Sequence, residues 1–385
     1  MKEAMPNIQT QRTQLFKDVY DGKIPERVPM DLSITWDAAI SYAGLDLKEA
    51  QYNPEMYEIF FDKCCKDFQT DKAPIARTLR TPHFYQLLES TAFTMSKAGN
   101  MQHPEVYCLE VSEYDAFIED PYNFMVETLL PRIYPALNTT PMKAAMILSK
   151  AYKAWNDMNG RMAAVSAKMS ERYGFAKIAP GGGSEAPMDL LADLIRSFTG
   201  ISKDIRRCPD KVEAACEALI PVCEKIAVSP VSSAYARTFI PLHMAPFLSQ
   251  KQFERFWWPS FKKLMAYIEN CGAKATLFCE QDWTKKIHYL TELPERTELW
   301  FEFGDPKLVK DTLGKRYIIS GFYPVALLQT ATEQECVDEA KRHIDILAPD
   351  GGYIFNTDKI IYSLNTKIAD NLQAVIDTIR TYGVY

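Results

Sequence analysis

The chain has 385 residues, of which 47% are hydrophobic and 24% charged, the profile of a globular protein with enough apolar side chains to bury a sizeable core. Its 44 basic and 50 acidic residues give a formal net charge of −6 with no long run of one sign, which excludes the electrostatic footprint of a nucleic-acid-binding protein. No apolar run approaches the roughly 20 residues that cross a bilayer, and Met1-Lys-Glu-Ala-Met-Pro-Asn7 lacks the apolar centre of a signal peptide. A cytoplasmic protein without a membrane partner is expected, its nine scattered cysteines reduced because none forms a Cys-x-x-Cys pair.

In chain order, a polar helix over 10–20 precedes a first strand over 27–36 that delivers Asp31 and Trp36, with Asp37 placed as the N-cap of the next segment. Apolar spacing of about one helical turn marks a helix over 57–68, and 70–74 reads as a short second strand. The stretch 83–159 fits no strand-helix alternation and is read as a helical insertion. Alternation resumes with a third strand over 173–180, the glycines Gly181-Gly-Gly183 that permit a close backbone approach, and helices over 186–198 and 209–228. In the latter, Val212, Ala215, Cys216, Leu219, Cys223 and Ile226 share one face and are assigned to the core.

The fourth strand, 235–242, ends at His243, and Ser249-x-x-Gln252 is a capping box opening the next helix. The fifth strand, 273–278, runs into Cys279, Glu280 and Asp282. The sixth, 298–303, is followed by Asp305-Pro306, an N-cap and a first-turn proline. The seventh, 317–321, leads to Tyr323, with Thr332-x-x-Glu335 capping its helix; the eighth, 353–355, leads to Asn356 before a last helix over 366–382. Eight strands each followed by helix make an α/β chain with the count of a (β/α)8 TIM barrel, a single domain over 1–385 carrying the insertion between strands two and three. The competing open sheet would usually carry a Gly-x-Gly-x-x-Gly turn after its first strand, and none is present.

Barrel enzymes place their chemistry at the carboxyl ends of the strands, so His243 and Glu280 are the leading candidates. Nothing in core packing calls for a carboxylate at the tip of strand five, whereas Cys279 beside it faces the other way and reads as wall. Glu302 is a further inward-facing candidate acid, and Asp31, Trp36, Tyr323 and Asn356 are expected to line the pocket at the ends of strands one, seven and eight.

Four stretches carry a family resemblance: Ala186-Pro-Met-Asp with the helix after it, Phe253-x-x-Phe-Trp-Trp-Pro259, Leu313 to Pro324, and Gly351-Gly-Tyr-Ile-Phe355. The chain resembles the uroporphyrinogen decarboxylase superfamily from about Val28 onward, and within it the corrinoid-dependent methyltransferases and the substrate components of O-demethylases. The arginine-rich segment that decarboxylases carry after strand one is absent from 31–37, which disfavours porphyrinogen decarboxylation. The resemblance implies an enzyme that demethylates a small, O-methyl, aromatic substrate and passes the methyl group to Co(I) of a separate corrinoid protein. It also implies a barrel-mouth zinc, with His243 and Glu280 as ligands, although Phe278 and Arg316 stand where the branch carries histidine ligands. Arg316 is accordingly carried as a catalytic candidate beside Glu280 and Glu302, able to hydrogen-bond a leaving oxygen where no metal binds. A corrinoid-to-thiol methyltransferase and a non-catalytic barrel that binds a tetrapyrrole or corrinoid protein are the alternative readings, and a homodimer is among the assemblies left open.

Overall fold

The structure is a computed structural model that describes residues 7–75 and 80–385. A small antiparallel hairpin pairs β1 (Thr94–Met95) with β2 (Met101–Gln102), and a parallel sheet runs in sequence order through β3 (Thr238–Leu242), β4 (Ala275–Asp282), β5 (Glu298–Phe303), β6 (Ile318–Tyr323) and β7 (Tyr353–Thr357). Three extended segments complete a ring of eight through single hydrogen bonds rather than regular ladders. The segment around Met30–Ile34 bridges Phe355 of β7 and Ile75, the Asp71 carbonyl accepts from the Ala176 amide at 2.8 Å, and Gly183 bridges Phe239 of β3. The fold is a (β/α)8 barrel whose first three staves are irregular.

That irregularity accounts for the least accurate sequence assignments. Residue 36 begins the helix Trp36–Tyr42, whose N-cap is Thr35, so Asp37 lies in its first turn instead of capping it. The long helix Pro141–Tyr173 continues through the start of the expected third strand. The stretch 83–159 holds short helices, the β1–β2 hairpin and the first part of that long helix. Gly181 and Gly182 approach the chain's own backbone: a Cβ on Gly182 would lie 1.8 Å from the Ala227 carbonyl oxygen, and one on Gly181 2.3 Å from that of Arg237. From β3 onward agreement is close, and both capping boxes, Ser249 with Gln252 and Thr332 with Glu335, form as expected. On the helix Pro209–Ala227 the anticipated core face is buried except for Ile226, which is exposed.

Strand alternation divides the sheet into two faces. The outward residues Leu277, Cys279, Leu299, Phe301 and Ile319 are buried in the main hydrophobic core between barrel and helices. The inward face is layered. At the amino-terminal end the helix Ile8–Asp21 plugs the barrel, setting Phe16, Val19 and Tyr20 against Ile318 and Ile354. Above the plug lie polar and charged groups: Lys72 pairs with Asp31, Glu298 accepts from Thr276 and Ser320, and the Arg237 guanidinium lies 4.3 Å from the centre of the Tyr20 ring. Next come Phe239, Phe278 and Trp300, with Phe278 and Trp300 ring centres 4.3 Å apart.

Asp71 binds the irregular staves together. Fully buried, its carboxylate accepts from both terminal nitrogens of Arg27, one at 2.7 Å, and from the Met30 amide at 2.9 Å, with Arg12 Nε 3.5 Å away. Removing one partner of such a group leaves an uncompensated buried charge, so Asp71→Ala should cost about 3–5 kcal/mol. Urea unfolding followed by circular dichroism checks this, with the loss expected in the midpoint more than in the slope.

Candidate active site

The topmost inward layer is set by position on the strands. Phe239 and Pro241 on β3 lead to His243 just beyond it, Thr276 and Phe278 on β4 lead to Glu280, and Trp300 on β5 leads to Glu302. On β3, and on β4 as far as Glu280, the inward residues are partly exposed while the outward ones are buried, so this side of the lumen is open to water. The opening has an apolar floor of Phe239, Pro241 and Phe278. At its rim His243 Nδ1 and Glu280 Oε2 lie 2.8 Å apart, with 30% and 27% of their side chains exposed.

His243 is held by its main chain as well. Asp189, completely buried in the helix Pro187–Leu190, accepts from the His243 amide at 3.0 Å, the Met244 amide at 2.9 Å and the Trp257 indole N–H at 2.8 Å. Two backbone donors and an indole fix the turn after β3, which aims the imidazole at Glu280. Nearby, His103 bridges the Ala92 carbonyl (2.6 Å) and Asp193 (3.2 Å). Glu185, which comes just after the three glycines, has one carboxylate oxygen buried without a hydrogen-bond partner among the described residues.

These groups titrate as a cluster. Burial alone would lower the His243 pKa, but its hydrogen bond to Glu280 and the charges of Asp189, Glu280 and Glu185 outweigh that and raise it to about 9. Burial raises Asp189 to about 6, opposed by the His243 charge and by its backbone donors. Burial, reinforced by the charge of Asp193 and opposed by that of His243, raises Glu185 to about 7. Raised in this way, the His243 pKa favours the imidazolium at neutral pH, and the ring faces Glu280 on the partly exposed side of the lumen. Among the described residues no other group hydrogen-bonds its Nε2.

The remaining sequence candidates divide. Glu302 is inward and close to the pair, but Lys359 Nζ (2.7 Å) and the Gln281 amide (2.8 Å) occupy its two oxygens, so it is a paired carboxylate and not a free acid. Asn356 shares the inward face yet is enclosed, its Oδ1 accepting from the Thr357 amide. Four expectations are corrected. Arg316 precedes β6, at the opposite end of the barrel, where it binds exposed Glu295 and the Thr291 carbonyl. Asp31 sits with Lys72 in the charged layer near the plug. Trp36 starts a helix and packs edge-on against Tyr57 and Phe60. Tyr323 alternates outward and is fully buried, its hydroxyl donating to the Cys336 carbonyl. Asp189, Glu185, Phe239, Pro241 and Lys359 were not anticipated. Two signals were available: Asp189 lies in the Ala186-Pro-Met-Asp stretch, and Phe278 stands two residues before Glu280 and so shares its face.

The residues do not fit a resident zinc. His243 with Nδ1 engaged by Glu280 leaves Nε2 as a single ligand, and among the described residues no three His, Cys, Asp or Glu side chains are grouped to hold a metal ion.

Residues 150–382, more than half of the chain, match the family described as uroporphyrinogen decarboxylase (URO-D). The chain belongs to the uroporphyrinogen decarboxylase family. Among solved structures, a methyltransferase from Methanosarcina mazei is similar in fold, with a TM-score of 0.63 and 14% identity over 97% of this chain and 98% of that one. That likeness spans the irregular first staves as well as the regular sheet. No curated protein matches. Among the described residues no helix is long and apolar enough to cross a membrane.

The raised acids make stability depend on pH. Glu185, Asp189 and His243 all have folded pKa values above their ordinary ones of 4.5, 3.8 and 6.5. Each contribution is complete below the ordinary value and lost as pH rises through the folded one, so this cluster weakens the fold progressively from about pH 4 to pH 9. Glu185→Gln removes one of these losses and should gain ~1–3 kcal/mol relative to the parent at pH 8, with little gain at pH 5. Thermal unfolding at the two pH values reads the difference.

Proposed function

We propose that this member of the uroporphyrinogen decarboxylase family is a methyltransferase that removes the methyl group from a small O-methyl aromatic compound and delivers it to Co(I) of a separate corrinoid protein. The observation that supports this reading best is the 2.8 Å contact of His243 with Glu280, both partly exposed, beyond the inward rings of Phe278 and Trp300. The apolar floor suits a substrate ring, since Phe278 and Phe239 can stack on it. The rim suits the ether oxygen, because Nε2–H of His243 points a donor where negative charge develops. The M. mazei protein is named a methyltransferase, and its likeness supports the barrel as a scaffold for such transfer.

Phenoxide is a poor leaving group, and protonating the oxygen as its bond to carbon breaks removes that difficulty. Co(I) of the partner acts as the nucleophile and takes the methyl carbon without its bonding electrons. The C–O bonding pair stays on oxygen, the proton moves to it from His243 Nε2, and a neutral phenol departs. Glu280 orients the ring through Nδ1 and holds its charge, and Asp189 fixes the turn that carries it. Neither carboxylate gives up a proton. Solvent reprotonates His243 after release.

The test mixes the protein with a reduced corrinoid protein and a panel of methoxylated aromatics and monitors the spectral change from Co(I) to methyl-Co(III). His243→Gln should slow methylation roughly 10²–10³-fold, the usual effect of removing one preorganised donor. Glu280→Gln lowers the His243 pKa and should lose more rate at pH 8 than at pH 6. Wild-type rates in both variants would remove the pair from the reaction.

A further inference from the structure

Strand alternation turns Glu280 inward, and the tip of β4 departs from regular pairing right at that residue. Pairing of β4 with β5 is regular from Thr276 to Cys279 and then shifts register, resuming only at Asp282 opposite Phe303. Within that shift Gln281 adopts φ +59°, the left-handed region that a residue with a Cβ enters at a cost of about 1 kcal/mol or more. Such a conformation persists where surrounding contacts fix it, and here the contacts can be named. The Gln281 amide donates to Glu302 Oε2 at 2.8 Å, and Lys359 Nζ donates to Glu302 Oε1 at 2.7 Å. The Glu302 side chain is only 10% exposed, while Gln281 and Lys359 reach it from the solvent side. Lys359 in turn lies 5.2 Å from the centre of the Phe303 ring. On the downstream side the Trp283 indole donates to the Glu280 carbonyl at 3.0 Å, and Asp282 caps the Thr284 amide.

We infer that Glu302 and Lys359 are positioning residues: together they clamp the left-handed Gln281 backbone and thereby hold the Glu280 carboxylate against His243. The inward end of β5, where a catalytic acid was expected, supplies a brace instead. The clamp runs from Lys359, just beyond β7, to Glu302 on β5 and Gln281 on β4, and Glu280 meets His243 just beyond β3, so groups from four of the staves hold one pair. This inference deepens the proposed function, because it concerns the same pair, but it needs no methyl transfer to be tested.

The experiment observes the His243 ring nitrogens by ¹⁵N NMR through a pH titration of the full chain. In the parent the midpoint is expected near 9. In Glu302→Ala the tip relaxes, Glu280 leaves the imidazole, and the midpoint should fall by about one unit or more, as loss of an adjacent opposite charge does. Loss of the Glu302 charge alone would lower it too, and a second substitution separates the two causes. Glycine occupies the left-handed region without strain, so Glu302→Ala combined with Gln281→Gly should recover most of the parent midpoint, whereas lost charge would not be restored. An unchanged midpoint in Glu302→Ala, or no recovery in the double variant, overturns the clamp. Should Glu302→Ala fail to fold, Lys359→Met serves: removing a cation can only raise the midpoint by electrostatics, so a fall supports the clamp and a rise or no change contradicts it. If the methylation assay fails while the titrations behave as stated, the proposed function falls and the clamp stands; the reverse outcome sinks the clamp alone.

Discussion

The hydrogen bonds that Asp189 accepts from two successive amides and an indole govern the rest of the site. A carboxylate with no solvent exposure is expensive to bury, and charge-assisted hydrogen bonds of about 1.5–3 kcal/mol each offset the cost. The consequence is local and geometric. With the amides of His243 and Met244 fixed on one acceptor, the chain after β3 has little freedom, and the imidazole must project over the lumen. Glu280 then meets it from the next strand, and the charge of the resulting imidazolium stabilises Asp189 in return.

The inward face of the barrel explains why this pair stands where it does. Going from the amino-terminal plug to the mouth, apolar, charged, aromatic and titratable layers succeed one another because each strand contributes every second residue to the same face. In the charged layer Lys72 pairs with Asp31 and Glu298 accepts from Thr276 and Ser320, while Arg237 donates through one terminal nitrogen to the Ala275 and Arg296 carbonyls and lies over Tyr20, its Nε and other terminal nitrogen buried without a hydrogen-bond partner among the described residues; the helix Ile8–Asp21 lies beneath. The aromatic layer separates those charges from the rim. Phe278 and Phe239 thus stand between the Lys72–Asp31 pair and His243 on the inward face.

Much of this was legible in the sequence, and the parts that were not have definite causes. The sheet from β3 to β7 and its helix caps could be read because period-two alternation and capping boxes are local signals, and Ser249, Asp305 and Thr332 act as such caps. His243 and Glu280, expected at strand ends, do lie there and meet at 2.8 Å. The first three staves were less clear because they close the ring by single hydrogen bonds and so impose no repeating pattern. Tyr323 was misassigned to the pocket because one residue of register decides whether a side chain faces lumen or helix, and Trp36 because the extended segment already ends at Thr35, the N-cap of a helix. Arg316 was placed with Glu280 by family spacing, although a residue just before a strand lies at the opposite end from one just after. Asp189 lies in the Ala186-Pro-Met-Asp stretch, but its role could not be read there, since its three donors come from the turn after β3 and from the Phe253–Trp257 stretch, far along the chain.

The central claim is that the imidazolium of His243, braced by Glu280, meets the ether oxygen of a ring seated on Phe278. A crystal structure of the protein with a methoxylated aromatic bound, in the absence of any corrinoid protein so that no turnover occurs, tests it most directly. The account predicts the ether oxygen within hydrogen-bond distance of His243 Nε2 and the ring against Phe278. A ligand bound elsewhere, or one whose oxygen turns away from His243 toward solvent, would contradict it.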